Sequence, residues 1–327
     1  MLQQLNRILE KIMPFLAPIA VLLGLLFAGE LRPLSFLVPW IFAGMTFAGS
    51  LGSGFRDLRK IAANPLPLIV CLGAIHVIMP CIAWLAGHLA FPGDMLTLSG
   101  LVLMFLIPTG VVCFVWVAIA RGNVPLTLAL ILVDTLILPF IVPFELSLFI
   151  GAKIQIDTVG IMVDMLWMVV IPSLIGMAIN QWTQGQVKLT WGKTLAPFSK
   201  LALMAVIALN SSSIAGHVKE LDGRVVFLVL VVSFLALLGF AVGYWIALLF
   251  RWDYETSVAL TINTGMRNLG AANVISILYF PSAVTLPVII GSALQQTFAA
   301  IAVSALRRRR AREETIGPSD AAKNVSA

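Results

Sequence analysis

The stretch Thr261-Ile262-Asn263-Thr264-Gly265-Met266-Arg267-Asn268-Leu269-Gly270-Ala271-Ala272-Asn273 decides the fold, because it is a polar segment inside an otherwise apolar C-terminal half. A glycine weakens a helix and a charged side chain is costly in hydrocarbon. Both features together predict an interrupted membrane helix. Gly265, Arg267 and Asn268 are therefore the first candidates for a functional site.

The composition indicates whether the chain folds in water or in a lipid bilayer. Of the 327 residues 60% are hydrophobic and only 11% are charged, and the mean hydropathy is +1.02. So few charges cannot cover a water-soluble globule of this length, which predicts an all-α integral membrane protein. The net charge of +6 does not indicate nucleic-acid binding, because the basic residues lie in short segments between apolar runs. The usual catalytic motifs are missing too, so we do not expect an enzyme.

Ten membrane spans are predicted when apolar runs of about 20 residues are cut at charges, Pro and Gly. They lie near 12–29, 34–52, 64–90, 96–120, 124–150, 158–181, 194–216, 225–250, 254–279 and 282–306. Residues 307–327 are predicted to form a basic and polar cytoplasmic tail.

The lysines and arginines predict the orientation, since basic residues near span ends stay in the cytoplasm. The N-terminal side of the predicted topology holds Arg7, Lys11, Arg56, Arg59, Lys60, Arg121, Lys188, Lys193, Arg251, Arg307, Arg308, Arg309, Arg310 and Arg312. The opposite side holds Arg32, Lys153, Lys219 and Arg224. This asymmetry predicts a multi-pass protein of the cell (inner) membrane with both termini in the cytoplasm.

The two halves of the chain share a layout. Residues 1–152 and 153–306 each contain five predicted spans, and the fourth span of each half is interrupted, at Pro108-Thr109-Gly110 and at Thr264-Gly265. An odd number of spans gives the halves opposite topology. Paired interruptions in inverted repeats mark the substrate site of a secondary transporter.

Helix breaks in a membrane expose main-chain donors, and half-helix N-termini carry partial positive charge. An anion is therefore the expected ligand, with Arg267 as a fixed charge. Of the adjacent Gln295 and Gln296 in the tenth span, one is expected to face the cavity. The candidate substrate-binding residues are Thr109, Gly110, Val111, Gly265, Arg267, Asn268 and Gln295. The alternative is that Pro and Gly only kink the helices for packing.

Charged residues inside the spans define candidate coupling positions. Asp134 is close to mid-depth, and either it pairs with Arg267 in a neutral structural contact or Arg267 is a free cation at the crossing of the breaks. Glu145 and Asp164 lie nearer the span ends, where we expect them to reach water. His76 is either a packing residue or a proton carrier.

The three cysteines, Cys71, Cys81 and Cys113, fall inside apolar runs. Their odd number and their spacing fit neither a disulfide framework nor a zinc site. They are interpreted as buried thiols, and no metal site is predicted.

With these features the chain resembles the bile acid:sodium symporter (BASS) superfamily. The resemblance rests on Ile78-Met79-Pro80-Cys81-Ile82-Ala83-Trp84-Leu85, Pro108-Thr109-Gly110, Ala120-Arg121-Gly122-Asn123-Val124 and Gly265-Met266-Arg267-Asn268, and it extends over residues 1–306. It implies ten spans in two inverted five-helix repeats, with broken helices 4 and 9 crossing in a core domain beside a panel domain.

The chain departs from the family at the sodium ligands. Where sodium-coupled members carry a glutamate and a glutamine in the ninth helix, this chain has Asn263 and Arg267. The fourth-helix ligand pair corresponds to Cys113-Phe114, the fifth-helix pair to Ile131-Leu132 and a third-helix glutamine to Ile75, beside His76. Hard oxygen ligands for sodium are thus largely lost. Sodium is the one cofactor that the resemblance raises, and these residues argue against it.

Three hypotheses remain open. The first is a secondary transporter of a small organic anion that works by alternating access, with His76, Cys113, Asp134, Asn263 and Arg267 at the coupling or former ion positions. The second is metalloid (arsenite) efflux, suggested by the similarity of Cys113-Phe114-Val115-Trp116 and Asp134 to another branch of the superfamily. The third is a membrane receptor or scaffold that does not transport. The expected partners are an anionic small molecule and the lipid bilayer.

Overall fold

The structure, a computed structural model, describes residues 2–52, 65–110, 112–151, 157–218 and 223–315. All regular secondary structure in these residues is helical. The predicted all-α class is therefore confirmed. The boundary between the predicted halves, at 152/153, falls outside the described residues.

The α-helices of the described residues are numbered in chain order. They are α1 Leu2–Leu26, α2 Ala28–Leu31, α3 Val38–Ser50, α4 Leu66–Gly73, α5 Met79–Ala90, α6 Met95–Leu106, α7 Val112–Ile119, α8 Val124–Phe149, α9 Thr158–Met165, α10 Ile171–Trp182, α11 Lys193–Val218, α12 Gly223–Leu249, α13 Tyr254–Gly265, α14 Leu269–Tyr279 and α15 Ser282–Thr315. The π-helical turns Ala74–Ile78 and Leu166–Val170 join α4 to α5 and α9 to α10.

Seven helical segments of the described chain are long and apolar enough to cross a membrane: Ala28–Ser50, Leu66–Ala90, Val124–Phe149, Val159–Trp182, Thr194–Ser212, Gly223–Leu249 and Ser282–Ala311. Each coincides with one of the ten predicted spans. The predicted spans 96–120 and 254–279 are each divided into two shorter helices, and 12–29 falls largely on α1. A multi-pass membrane protein follows, whereas the ten-span inverted repeat stays a prediction.

The first helix break follows from a proline. Pro108 has no N–H to continue α6, and it forces the preceding residue out of the helical region. Ile107 accordingly takes extended angles (φ −73°, ψ 138°), and α7 begins only at Val112. The break lies where the sequence predicts it. Val111, one of the predicted site residues, lies outside the described residues.

The second break comes slightly later than predicted. The helix continues through Thr264 and Gly265 and ends there, because Met266 is extended (φ −108°, ψ 137°). Helix α14 restarts at Leu269, where the side chain of Asn268 accepts a hydrogen bond from Ala271 N at 3.3 Å. An Asn at this position is among the strongest helix-starting residues.

The broken helices are the most enclosed of the described helices. Residues Thr97–Leu106 of α6, Thr256–Gly265 of α13 and Leu269–Ser276 of α14 are buried without interruption. Large exposed apolar side chains instead cover the outer helices, such as Phe15 on α1, Phe140 on α8 and Phe234 on α12. A helix that is buried all round lies inside the bundle. The two breaks are therefore held in the protein interior.

Two helix ends differ from the predictions. Helix α11 runs on to Val218, just past the predicted end of the seventh span near 216. Helix α15 continues to Thr315, past the predicted end of the tenth span near 306, and the cytoplasmic tail of residues 307–327 stays a prediction. The guanidinium groups of Arg309 and Arg310 lie 5.3 and 4.8 Å from the rings of Tyr244 and Tyr254. Cation–π contacts with the neighbouring helices thus hold this basic turn against the bundle.

Candidate functional site

The two helix breaks touch each other. Asn268 N donates a hydrogen bond to Pro108 O at 2.8 Å, so a main-chain group freed by one break is satisfied by the other. Gly110 lies so close to Asn268 that an added Cβ would be 3.4 Å from its Cα. In a membrane such irregular backbone is tolerated only where protein or a cavity provides partners.

Arg267 is buried at this contact, with 3% of its surface exposed. Its Nη1 donates to Asn263 O at 2.9 Å and to Met266 O at 3.3 Å, and its Nε donates to Phe105 O at 3.3 Å. The guanidinium also lies 5.8 Å from the ring centroid of Phe105. These carbonyls belong to the C-terminal ends of α13 and α6, where helical carbonyls lack partners. One cation therefore caps both half-helices.

The remaining guanidinium nitrogen, Nη2, is buried and has no hydrogen-bond partner. The main chain of Arg267 is fixed instead by Gln295, whose Oε1 accepts from Arg267 N at 2.8 Å and whose Nε2 donates to Arg267 O at 2.9 Å. Gln296 Oε1 accepts from Trp116 Nε1 at 2.9 Å. The main chain of the break is thus held by Gln295, while Nη2 of Arg267 is left without a partner.

Asp134 and Arg267 do not form an ion pair in the structure. Asp134 Oδ2 instead accepts hydrogen bonds from Thr109 N at 2.8 Å and Thr109 Oγ1 at 2.9 Å. Asp134 Oδ1 lies 2.7 Å from His76 Nε2. Asp134 is therefore bound to the first break and to a histidine, and the alternative of a neutral Arg267–Asp134 pair is not realised.

A second carboxylate lies on the other side of His76. His76 Nδ1 lies 3.2 Å from Glu145 Oε1. This is an ion-pair distance, but the two atoms are not aligned for a hydrogen bond. Glu145 is only 4% exposed, so the prediction that it reaches water is wrong. The proline-containing helix α8 keeps this end inside the bundle. Asp164 is partly buried, and Tyr279 Oη donates to it at 2.7 Å.

A cavity of about 660 Å³ opens beside the breaks. Its lining includes Gly110, Cys113, Arg267, Asn268 and Gln295 from the predicted site, but neither Thr109 nor Gly265. Among the described residues of the lining, three are cationic and none is a carboxylate; the cations are Arg267, Lys188 and Lys200.

The two lysines reach the cavity from the region around α11. Lys188 Nζ lies 5.3 Å from the ring centroid of Phe114, a residue of α7. Lys200 Nζ donates to Asn6 Oδ1 at 2.6 Å. We predicted neither as a site residue. Lys188 entered the sequence analysis only through the orientation pattern, and Lys200 did not enter it at all.

The remaining candidates are tied to neighbouring helices. Asn263 Nδ2 donates to Thr127 Oγ1 at 3.0 Å and to Ala259 O at 2.7 Å, while its Oδ1 is unpartnered. Cys113 is buried with its Sγ 4.0 Å from Met266 O. Cys71 is buried as predicted, but Cys81 is exposed, so the expectation of a buried thiol is wrong there.

Apolar helices, two breaks in mutual contact and a cationic cavity beside them define the class of the protein, an integral membrane protein with the site architecture of secondary transporters. Residues 40–221 match the model of the Sodium Bile acid symporter family. The chain belongs to this family of membrane transporters, as its motifs indicated.

Relatives of known sequence agree with this assignment. The chain is 46% identical over 289 residues to the Uncharacterized protein YbaS of Bacillus subtilis, covering 88% of this chain and 94% of the relative. It is 25% identical over 244 residues to the Uncharacterized sodium-dependent transporter YocS of the same species, covering 73% and 74%. It is 28% identical over 246 residues to the Probable sodium/metabolite cotransporter BASS1, chloroplastic, of Oryza sativa subsp. japonica, covering 72% and 59%.

Proposed function

We propose that the protein is a secondary transporter of a small organic anion, which binds beside the contact between the two helix breaks. The observation that carries the proposal is the charge of the cavity: the described part of its lining contains three cationic residues and no carboxylate. In a low-dielectric interior such a lining attracts anions and repels cations.

The anion has specific partners in this arrangement. Nη2 of Arg267 is a buried donor without a partner, which is costly unless a ligand accepts its hydrogen bond. The N-terminal turns of α7 and α14 also line the cavity, and helix N-termini favour negative charge. The substrate's anionic group is therefore placed between Arg267, Asn268 and the start of α7.

The body of the substrate is expected to be apolar. Away from the cations the cavity is lined by Phe42, Met45, Leu203 and Ile207, from α3 and α11. Apolar walls with a few convergent polar groups are typical of sites for small organic ligands. An amphipathic anion fits this lining better than an inorganic one.

The position of Arg267 is an argument for transport that does not depend on sodium. In transporters with broken helices, carbonyls at half-helix C-terminal ends coordinate the coupling cation. Here the guanidinium occupies such carbonyls, those of Phe105 and Asn263. A fixed positive charge at this position repels sodium. Asn263 and Arg267 also replace the residues of the sodium-coupled pattern, which likewise favours transport without sodium. Sodium-dependent transport, as in the printed name of YocS, is the alternative that the experiment must separate.

The movement that we propose is alternating access between two inverted five-helix repeats. It is supported by the matching breaks, α6/α7 and α13/α14, and by their enclosure within the bundle. In this scheme the broken helices move as one unit against α3 and α11, which form the other wall of the cavity.

The test is solute exchange in proteoliposomes that contain the purified protein. A panel of labelled carboxylates and aryl sulfonates is offered in sodium buffer and in N-methylglucamine buffer of equal ionic strength. We expect saturable counterflow of at least one anion in both buffers. Exchange only in sodium buffer would refute the sodium-independent mechanism, and saturable binding without any exchange would favour a receptor.

Metalloid efflux keeps one observation in its favour, since Cys113 lines the cavity. If its thiol binds the metalloid, Cys113→Ser abolishes the arsenite resistance that the protein confers on cells lacking other exporters. The anion proposal predicts that the protein confers no such resistance and that Cys113→Ser retains anion exchange.

A further inference from the structure

Four residues form a buried chain from the first helix break into α8. Thr109 N and Oγ1 donate to Asp134 Oδ2, Asp134 Oδ1 lies 2.7 Å from His76 Nε2, and His76 Nδ1 lies 3.2 Å from Glu145 Oε1. Asp134 is 0%, His76 6% and Glu145 4% exposed. Because about eleven residues make three turns of an α-helix, Asp134 and Glu145 project from the same face of α8.

The two carboxylates have different surroundings. Both oxygens of Asp134 have close polar partners, including a main-chain N–H that can only donate. Glu145 has one oxygen at ion-pair distance from His76, and its Oε2 has no partner. A hydrogen bond from N–H favours the ionised form of a carboxylate, whereas an isolated buried oxygen does not. Glu145 is thus the carboxylate better suited to gain a proton.

The charges in the interior nearly balance. In the part of the chain that the structure describes, the titratable and charged groups around Asp134 and Glu145 are His76, Arg267, Cys71 and Cys113. With neutral thiols, the cations Arg267 and protonated His76 offset two ionised carboxylates. Lys188 is exposed, and Lys200, which is half-buried, donates to Asn6, so neither belongs to this buried set. A monoanion bound beside Arg267 therefore adds one uncompensated negative charge to the set, and buried net charge is costly. One proton on Glu145 restores neutrality.

We propose that this chain binds the coupling proton: Glu145 takes up one proton, exchanged through His76, for each monoanion carried. The inference rests on the proposed anion transport and adds its energy source. Thr109 links the two events, because the donor that holds Asp134 is a main-chain group of the first break. The proton and the anion bind from one side of the membrane and are released together on the other side, so each transport step moves no net charge. The ionisable groups of this buried chain titrate together, so the proton is shared among them. When the anion is bound, Glu145 is the residue that accepts it.

The transport test compares exchange with accumulation for a labelled aryl sulfonate, because carboxylic acids can cross lipid in their neutral form. Wild-type vesicles with an inward proton gradient of about one pH unit should accumulate the sulfonate up to about tenfold, since one unit corresponds to a factor of ten. Glu145→Gln imitates the protonated residue. We expect it to retain counterflow exchange and to lose accumulation, with an internal to external ratio near one.

Asp164→Asn is the matched control, since Asp164 lies in a span but outside the chain, on Tyr279. It should accumulate as the wild type does. If Glu145→Gln also accumulates normally, or if dissipating the proton gradient changes nothing in the wild type, the proton inference is overturned while anion transport stands. If no sulfonate or carboxylate exchanges at all, the proposed function itself fails.

A second measurement follows the proton itself. Infrared difference spectra of the membrane-embedded protein are recorded at constant pH with and without the transported sulfonate. The C=O band of a protonated carboxylic acid should appear when the sulfonate is added, and it should be lost in Glu145→Gln but kept in Asp164→Asn. An unchanged band in Glu145→Gln would overturn the assignment.

Discussion

Arg267 holds a full charge inside the bundle with three main-chain carbonyls and an aromatic ring around it. The cost of burying such a charge is offset only when its donors are used. Three of the contacts come from the two helix ends, which makes the guanidinium part of the fold. Its free Nη2 and its place in the cavity lining make it part of the proposed site as well.

Arg267→Gln removes the charge while leaving a polar side chain. A hydrogen bond to a charged group is worth about 1.5–3 kcal/mol, or roughly tenfold to a hundredfold in affinity. We therefore expect the anion concentration for half-maximal exchange to rise at least tenfold. Exchange titrations in proteoliposomes measure it, with exposed Arg32→Gln as the control. An unchanged concentration would exclude Arg267 from the anion site.

Asn268 has two roles that substitutions can separate. Its side chain caps α14, and it lines the cavity. Asp caps a helix as well as Asn does, whereas Ala loses about 1 kcal/mol. Asn268→Asp should keep the melting temperature within a few degrees of the wild type but weaken anion exchange by charge repulsion. Compared with Asn268→Asp, Asn268→Ala should have a lower melting temperature but a smaller loss of affinity for the anion. Equal exchange in both variants would contradict the anion site.

At the scale of elements, α6 is pressed against α15 at a glycine. A Cβ at Gly100 would lie 2.3 Å from Val284 O and 2.8 Å from Pro287 Cγ, and the carbonyl is backbone that cannot rotate away. Gly44 on α3 has no heavy atom within 4 Å of the same position. The close approach of α6 and α15 therefore depends on Gly100.

Gly100→Ala should destabilise the protein by about 1–3 kcal/mol, the usual cost of overpacking. Gly44→Ala should be neutral or stabilise by up to about 1 kcal/mol, since alanine favours a helix. Thermal unfolding of both variants in detergent compares them directly. Equal melting temperatures would mean that α6 and α15 do not approach so closely.

The breaks differ in how much of them the sequence could predict. Pro108 acts on its own backbone and on its immediate neighbour, so the first break was predictable in position. The contacts of Arg267 were not, because Phe105 is remote in sequence and a main-chain carbonyl leaves no trace in residue type. Glu145 was misread for the same reason: its partner His76 lies on another helix, and neither residue shows a periodic pattern.

At the scale of the whole molecule, the apolar composition was enough to predict a membrane protein, and the motifs were enough to predict the family. The cavity was not predictable, since it depends on how α3 and α11 stand beside the breaks. Its lysines, Lys188 and Lys200, belong to segments whose contacts with the broken helices arise only from tertiary packing.

The predicted orientation can be tested with single cysteines in a variant whose three native cysteines are replaced by alanine. Pro92→Cys and Gln186→Cys place a thiol in exposed connections, before α6 and before α11. With the termini in the cytoplasm, a membrane-impermeant maleimide should label Pro92→Cys in intact cells, and Gln186→Cys only after the membrane is permeabilised. The opposite pattern would reverse the topology.

The central claim, an anion held at the contact of two broken helices by Arg267, is tested most directly by a cryo-electron microscopy structure with a transported sulfonate or carboxylate. The account predicts density for the anionic group within about 2.7–3.2 Å of Arg267 Nη2, beside Asn268 and the start of α7, in sodium-free buffer. Substrate density elsewhere, or a cation bound among the carbonyls of Phe105 and Asn263 with Arg267 turned away, would contradict it.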